Sequence, residues 1–340
     1  MKGRLIALDH VNGREAAALM VDGRLEDLLI ASDGPQPGTI YRATVERPLK
    51  GQGGVILSTP DGNAFLRHGK GLAPGQMLLV QVTGYAEDGK AIPVTPKVLF
   101  KSRYAIVTPD APGRNISRSI RDDDQRDRLT LIAHEVMGDS PYGLILRSNC
   151  ADASEDDIAE DIGNMLDAAD GVMGSEGREP EILQVGDGPH VVAWREWVEP
   201  AQVATQDGSF EDHGVLDAID GLQSDRVALG GAAFMYIEPT RALVAVDVNT
   251  GGDTSLAAGL KANLAVAKEL PRQLRLRGLG GQIVLDLAPM AKKDRRAFES
   301  ALRGALKSDP IDTALVGWTP LGHFEMQRKR EKIELRSILT

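Results

Sequence analysis

Cysteine, aromatic residues and long apolar runs are all scarce in this sequence of 340 residues. Its single cysteine, Cys150, excludes an internal disulfide framework and a thiolate zinc cage within one chain. No apolar run approaches the roughly 18 residues of a transmembrane helix, so no membrane partner is expected. The first apolar stretch is interrupted by Asp9, too early for a secretory signal. Together these absences predict a cytoplasmic protein.

The composition that remains is that of a globular protein, with 42% hydrophobic and 26% charged residues. It excludes a mainly disordered chain, a collagen and a coiled coil. The net charge of −10 argues at first against a nucleic-acid partner. However, residues 151–182 contain eleven acids and one arginine, which accounts for the whole excess. Elsewhere acids and bases balance and the bases are clustered, so local basic patches can still bind a polyanion.

The first third of the chain reads as strands and tight turns. Asp22-Gly23 separates two strand-like runs and predicts a hairpin. Four or five short strands with glycines at the corners follow between Thr39 and Thr95, as in an OB-type barrel. The exposed face of such a barrel often binds single-stranded nucleic acid. Phe65 is either a stacking residue on that face or a core residue of the barrel.

The middle of the chain gives weaker signals. A strand is expected over Tyr142–Arg147, and helices over Asp123–Val136 and Ser154–Ala169, the latter with Ser154 and Asp157 at capping-box spacing. Further on, the pattern indicates a strand at Val191–Trp194 and a short helix within Phe210–Leu222.

The last third has the clearest pattern. Ala242–Asn249 and Gln282–Leu287 read as buried strands, with a helix between them and another after them. This alternation predicts an α/β layer with a parallel sheet. Asp253 or Thr254 is the expected N-cap of the first helix, Pro271 is expected to kink or split it, and the second helix is expected over Lys292–Lys307.

This arrangement is expected to bring two carboxylates close together. Asp247 and Asp286 each lie near the end of an apolar strand, at the edge of an α/β sheet where ligands collect. Two carboxylates held together repel unless a cation lies between them, and oxygen ligands with open positions suit Mg²⁺ or Mn²⁺. Asn249 could orient a water or a phosphate. Each aspartate taken alone could equally be an N-cap or a turn former.

Basic residues flank the two aspartates in sequence. They are candidates for binding phosphate, the alternative being solvated helix faces. The sequence has no phosphate loop, zinc-protease helix or nucleophile elbow, and its six histidines are scattered and taken as structural. The candidate RNA-binding residues here are Arg272, Arg275, Arg277, Lys292, Arg328 and Arg330.

Three segments of the sequence resemble a known protein family: Ile237–Gly251, Arg272–Asp286 and Gly322–Arg330. They strongly resemble the ribonuclease E/G family of bacterial endoribonucleases, and a weaker similarity extends over nearly the whole chain. The resemblance implies an α+β multidomain fold, in which an RNase H-like subdomain is interrupted by an OB-fold barrel and a 5′-sensor segment. A DNase I-like α/β catalytic subdomain would follow. The implied boundaries are 1–37 and 183–232 for the RNase H-like parts, 38–100 for the barrel, 101–182 for the sensor and 233–340 for the catalytic part.

The same resemblance implies a Mg²⁺-dependent endonuclease acting on single-stranded RNA, such as mRNA or rRNA precursors. Cleavage would leave 5′-phosphate and 3′-hydroxyl ends. Asp247 and Asp286 match the family's metal-binding aspartates, and Asn249 matches its supporting asparagine. Arg147 and Ser148 fall where the family holds a 5′-monophosphate with Arg-Thr, and serine keeps the hydroxyl donor.

The chain also departs from the family pattern. It stops at Thr340, before the Cys-Pro-x-Cys zinc link of longer members, so we expect no zinc and no zinc-linked dimer, although another homo-oligomer is possible. Asp312 stands where relatives tend to place a basic residue that supports the 5′-phosphate pocket, and Pro271 replaces a helix-compatible residue beside the arginines.

Two other functions are consistent with parts of this pattern. One is a non-catalytic RNA-binding protein of the same fold that assists rRNA maturation, although RNA binding alone gains nothing from carboxylates facing phosphates. The other is a metal phosphoesterase acting on small nucleotides, which leaves the barrel unexplained.

Overall fold

The computed structural model describes residues 3–49, 53–86 and 89–339. Two units can be distinguished along the chain, one formed by Met1–Ser32 with Pro200–Thr340 and the other by Asp33–Glu199. Each unit has two hydrophobic cores of its own. The finer division into five segments stays a prediction.

The chain begins with an antiparallel meander that belongs to the first unit. Its three strands are β1 (Arg4–Val11), β2 (Arg14–Val21) and β3 (Arg24–Ile30). The hairpin predicted at Asp22-Gly23 is confirmed. Both turn residues have positive φ, at 50° and 77°, as a two-residue turn of this type requires.

The second unit starts with a closed five-strand barrel. The strands follow the order β4-β5-β6-β8-β7, and β7 pairs back onto β4 to close the sheet. Leu57, Ala64 and Val80 fill the interior, each fully buried. This closure is consistent with an OB-fold. The strands are β4 (Ile40–Leu49), β5 (Gly54–Thr59), β6 (Gly62–Arg67), β7 (Met77–Val82) and β8 (Ile92–Thr95).

A small mixed sheet and two helices follow the barrel, with strand order β11-β12-β10-β9. Both helices predicted in this part are confirmed, and the Ser154 side chain caps the second by accepting a hydrogen bond from the Asp157 N–H at 3.1 Å. These elements are β9 (Phe100–Lys101), β10 (Ala105–Thr108), β11 (Arg114–Ile116), α1 (Asp123–Met137), β12 (Gly143–Leu146) and α2 (Glu155–Met173). The unit ends with β13 (Glu181–Gln184), which pairs with β4, and α3 (Pro189–Glu196).

The strand predicted at Val191–Trp194 is wrong, because these residues lie inside α3. Pro189 occupies the first turn, where its fixed φ favours a helix and its missing N–H costs nothing. Val191 and Trp194 are both about half exposed, so the apolar run that suggested a buried strand is not buried.

The first unit resumes with β14 (Gln202–Ala204), which pairs in parallel with β1. The short helix predicted within Phe210–Leu222 is present as two pieces, α4 (Ser209–Asp212) and α5 (Val215–Gly221). The side chains of Phe210 and Val215 are buried against the meander.

A six-stranded sheet completes this unit, in the order β15-β16-β17-β18-β20-β19. Among its pairings β17 with β18 is parallel, as predicted, whereas the other four pairs are antiparallel. The strands are β15 (Arg226–Gly230), β16 (Ala233–Pro239), β17 (Val244–Asn249), β18 (Gly281–Asp286), β19 (Thr313–Trp318) and β20 (Phe324–Arg328). The helices are α6 (Leu256–Leu276), α7 (Arg295–Lys307) and α8 (Leu335–Leu339).

Helix α6 differs from the prediction in two respects. It continues through Pro271 as one element of 21 residues instead of splitting. Leu270 and Leu274, fully buried on either side of the proline, anchor both halves in the same core. Its N-cap is Ser255, whose side chain accepts from the Ala258 N–H at 3.2 Å, while Asp253 accepts from the Ser255 N–H. Within the described ranges, no helix combines the length and apolar character that crossing a bilayer requires.

Candidate active site

The two predicted aspartates lie side by side on the central strands of the six-stranded sheet. Asp247 on β17 and Asp286 on β18 are direct partners in the parallel register. Neighbouring strands are about 4.8 Å apart, so the two carboxylates share one small region. Their neighbours Val246 and Leu285 point to the opposite face and into the core beneath α6 and α7. Both aspartates therefore project from the outer face of the sheet, and the Asp286 side chain is 70% exposed.

Two further polar side chains border this acid pair, by which we mean Asp247 and Asp286. Asn249 lies two residues beyond Asp247 on the same face and donates from Nδ2 to the Asp247 Oδ2 at 2.8 Å. His323, in the turn between β19 and β20, has its Nε2 at 3.8 Å from the Asp286 Oδ1. The sequence pattern did not single out His323. Its place in the segment Gly322–Arg330, which carries part of the family resemblance, is the signal that could have done so.

The donor atoms at this place suit a hard divalent cation. Carboxylate oxygens and an amide oxygen are ligands that Mg²⁺ prefers, and Mg²⁺ keeps several waters instead of filling its shell with protein atoms. Among the residues that the structure describes, no group of three or more His, Cys, Asp or Glu side chains forms a closed metal cage. The acid pair would therefore leave most coordination positions open to water and phosphate.

The loop after Asp286 is fixed by α6. Asn263, fully buried on that helix, donates from Nδ2 to the Ala288 carbonyl at 2.8 Å and accepts from the Ala288 N–H at 3.0 Å. One turn earlier, a Cβ added at Gly259 would collide with the Pro289 carbonyl oxygen. A glycine at this position thus allows the helix to approach the loop closely. Asn263 is a positioning residue that sequence reasoning did not identify.

We expect Asn263→Leu to lower the free energy of unfolding by about 1–3 kcal/mol, because it leaves the buried N–H and C=O of Ala288 without partners. It should also lower the turnover of any activity that depends on Asp286. Thermal or urea unfolding of the variant measures the first effect. Lys261→Leu, an exposed change on the same helix, is the matched control and should stay within about 0.5 kcal/mol of the parent. Equal losses in the two variants would contradict the assignment.

Four of the predicted RNA-binding arginines are engaged within their own unit. Arg272 bonds the Leu25 carbonyl and Glu269, and Arg277 bonds Gln273 and the Ser224 carbonyl. Arg275 and Arg328 both bind Asp309, whose side chain is 1% exposed. Burial lowers the pKa of Arg277 to about 10 and also lowers that of Arg328. The placement of these arginines argues against direct contact with RNA and assigns them to packing.

Lys292 and Arg330 differ from those four, since both are exposed. Lys292 lies in a short 3₁₀ turn, Lys292–Asp294, that follows the loop after Asp286. Arg330 follows β20, and its guanidinium lies against Gly281 at the start of β18. Of the six predicted basic residues, these two keep the exposure that an RNA contact needs.

Phe65 lies on the outer face of the barrel in the second unit. It pairs with Ile56, while the adjacent Ala64 and Leu66 point into the core. The ring is half-buried and packs over Gly54, where a Cβ would collide with it. The structure thus favours the surface position over the core position, which is what a stacking role would require.

Arg147, predicted to hold a 5′-phosphate, is already bonded inside the second unit. Its guanidinium donates to the Glu196 carboxylate at 2.7 Å and to the Ser102 carbonyl at 2.7 Å. Lys101 also binds Glu196, at 2.7 Å. Although burial opposes it, the hydrogen bonds and charges of these two cations lower the pKa of Glu196 to about 2. Ser148 is exposed at the start of a 3₁₀ turn, and Asp312, in the first unit, is exposed and paired with Lys329.

If Arg147 binds a 5′-phosphate, Glu196 competes with it. We therefore expect Glu196→Gln to raise the preference for 5′-monophosphorylated over 5′-hydroxyl RNA by about tenfold, since a charged hydrogen bond of 1.5–3 kcal/mol becomes available. Binding or cleavage of the two RNAs measures this ratio. Asp187→Asn, which removes a carboxylate paired with Arg195, is the matched control. An unchanged ratio in Glu196→Gln would remove Arg147 from phosphate recognition.

The fold and the acid pair define an α+β protein with a small barrel in one unit and an open carboxylate site in the other. Comparisons with known proteins agree with this class. The sequence model of the Ribonuclease E/G family matches residues 100–193 and 190–331, which include Arg147 and the acid pair. The chain belongs to the ribonuclease E/G family.

Curated relatives cover nearly the whole chain. A protein named Ribonuclease E from Nostoc sp. is 26% identical over 96% of this chain and 55% of its own length. Ribonuclease G of Salmonella typhimurium is 25% identical, and that of Escherichia coli K12 is 24% identical, each over 98% of this chain and 81% of its own length. The chain thus spans little more than half the length of the relatives named Ribonuclease E.

Proposed function

We propose that this protein is a Mg²⁺-dependent endoribonuclease, with Mn²⁺ as an alternative metal, that cleaves single-stranded RNA in the cytoplasm. Its products would carry 5′-phosphate and 3′-hydroxyl ends, and its substrates would be mRNA or rRNA precursors. The observation that carries the proposal is the register of Asp247 opposite Asp286 on an exposed face. Membership of the ribonuclease E/G family supports RNA as the substrate.

In this proposal each residue at the site has one task. Asp247 and Asp286 would hold the metal through their carboxylate oxygens. A bound Mg²⁺ lowers the pKa of a water and neutralises charge on the phosphate. Asn249 fixes the Asp247 carboxylate through its Nδ2 hydrogen bond. His323, beside Asp286, can donate a ring N–H to a phosphate oxygen, and Asn263 holds the loop that follows Asp286.

The remaining parts of the chain would handle the strand. Phe65 on the barrel would stack on a base, with Lys292 and Arg330 providing charge. We further propose that the meander with β14 corresponds to an RNase H-like subdomain, and the six-stranded sheet with α6 and α7 to a DNase I-like one. Cys150 is buried, so the proposal gives its thiol no part in binding a metal, and a homo-oligomer is compatible with the proposal.

A circular single-stranded RNA tests this function, because it has no ends and only internal cleavage can linearise it. We expect an A/U-rich circle to become linear in Mg²⁺ and to stay circular in EDTA. The linear product should accept a ligation partner at its 3′-hydroxyl and should resist kinase labelling until its 5′-phosphate is removed.

Two outcomes would overturn the proposal. Linear products with a 2′,3′-cyclic phosphate would show a different chemistry. Tight binding of the circle without cleavage, in both Mg²⁺ and Mn²⁺, would instead indicate a non-catalytic RNA-binding protein of the same fold.

A further inference from the structure

The outer face of the six-stranded sheet carries aromatic side chains beside the acid pair. Phe234 and Tyr236 lie on β16, where their neighbours Met235 and Ile237 are fully buried and point to the core. In the antiparallel register Tyr236 pairs with Asp247, and Phe234 pairs with Asn249. Directly paired residues have their Cβ atoms about 5 Å apart. Both rings therefore stand next to the residues of the candidate active site.

These rings form a small ordered platform. Phe234 and Tyr236 meet edge to face, with ring centroids 5.5 Å apart and planes at 82°. The exposed Arg226, which is the partner of Tyr236 on β15, holds its guanidinium 4.2 Å from the Phe234 ring centroid. We call Arg226, Phe234 and Tyr236 the aromatic platform. All three lie on the same face as the acid pair, with the two rings one strand and Arg226 two strands away from Asp247.

The surroundings of the platform show a face that is open to solvent. Helices α6 and α7 pack against the opposite side of the sheet, with the buried apolar residues. Around the platform, Glu238, Asp247, Gln282 and Asp286 are exposed. Both rings are only half-buried. Aromatic residues make up only 4% of the chain. Two of them on one open face, next to two carboxylates, therefore indicate a ligand-binding surface.

The chemistry of the platform fits one occupant, a nucleobase of a single-stranded RNA. Aromatic rings stack on any base, because every base has a π-face. An arginine adds a positive charge for the adjacent phosphate, together with cation–π contact. The carboxylates repel the RNA backbone unless a cation intervenes, so the platform supplies attraction on the side of the site where it is otherwise missing.

We propose that Arg226, Phe234 and Tyr236 form a base-stacking subsite for the nucleotide next to the phosphodiester that the acid pair engages. This subsite rests on the proposed function for its ligand. It is separate from Phe65, which lies on the barrel of the other unit. The subsite sets the position of the strand on the sheet and holds one base without reading its identity.

Abasic RNA tests the subsite during cleavage. A single abasic nucleotide is moved through each position around one cleaved bond, and KM and kcat are measured for every RNA. For the parent protein we expect one adjacent position at which base removal raises KM about tenfold, as the loss of a single stacked base would. The double variant Tyr236→Leu with Phe234→Leu should raise KM on intact RNA about tenfold, and base removal at that one position should then raise KM no further. The single variant Tyr236→Phe keeps both rings, so its KM on intact RNA and the rise in KM on base removal should match those of the parent.

A binding measurement in EDTA separates this proposal from the proposed function. The RNA carries the fluorescent base 2-aminopurine at that position, or at each central position in turn. We expect its fluorescence to be quenched when the base stacks on the parent protein. The doubly substituted variant should bind without the quench. If the parent quenches but never cleaves, the subsite stands and the endonuclease fails. The subsite is wrong if the parent and the double variant, with matching thermal unfolding, quench the fluorescence equally and respond equally to abasic RNA. A change in oligomeric state of the variant without any effect on RNA would also overturn it.

Discussion

Replacing Asp247 or Asp286 by asparagine should lower the cleavage rate at least about a hundredfold, since a metal ion supplies several kcal/mol of stabilisation and each 1.36 kcal/mol is tenfold in rate. The two carboxylates share one small region of the sheet, so each single loss should remove most of the affinity for Mg²⁺. Binding of RNA should persist, and the removal of one negative charge should even tighten it slightly. Rates under single-turnover conditions, with binding measured in parallel, test both parts.

Glu238→Gln is the matched control for these variants. Glu238 is an exposed acid on the same face, and it pairs with Ala245, two residues before Asp247. The substitution removes the same charge without touching the acid pair, so we expect cleavage within a few-fold of the parent. Normal cleavage by both aspartate variants would contradict the assignment of the acid pair.

Asp309→Ala should cost about 3–5 kcal/mol of unfolding free energy, as removal of one partner from a buried ion pair does. Asp309 lies beyond α7 with its side chain 1% exposed, and it accepts from both Arg275 and Arg328. Arg328 is fully buried at 0% side-chain exposure, so it would lose its counter-ion in a place that water does not reach. Chemical denaturation of the parent and the variant measures the difference.

The control is Asp312→Ala, three residues further on. Asp312 is also an acid paired with a cation, Lys329 at 3.3 Å, but its side chain is 72% exposed. Surface ion pairs contribute about 0–1 kcal/mol, so a small effect is expected there. If the two variants lost equal stability, burial of the arginine pair around Asp309 would not stabilise this unit.

The apolar runs in the last third of the sequence were sufficient to predict that Asp247 and Asp286 lie on neighbouring strands. The apolar runs Ala242–Asn249 and Gln282–Leu287 indicated two buried strands, and the helix between them favoured a parallel pairing, which the structure has. The neighbouring positions of Asp247 and Asp286 follow from that. The same kind of pattern was misleading at Val191–Trp194, since an apolar run of four residues fits a strand or a helix. Here Pro189, in the first turn, favours the helix.

Sequence alone could not distinguish arginines that pack from arginines that bind. Arg272 and Arg275 lie near the end of α6, Arg277 follows it directly, and the three read as a basic patch. Their partners, among them Leu25, Asp309 and Ser224, are far away in sequence, so nothing local reveals them. The aromatic platform was missed for a related reason. Phe234 and Tyr236 read as strand residues, and only the register with β17 places them beside Asp247 and Asn249.

The most direct test of the metal-dependent acid pair is the cleavage of one RNA linkage in which sulfur replaces a non-bridging phosphate oxygen. Sulfur is a poor ligand for Mg²⁺ and a better one for softer metals, so its effect reports contact between metal and phosphate. We predict slow cleavage of the sulfur-containing RNA in Mg²⁺, recovery on addition of Mn²⁺, and no cleavage of either RNA in EDTA. Equal cleavage of both RNAs in EDTA would contradict the account.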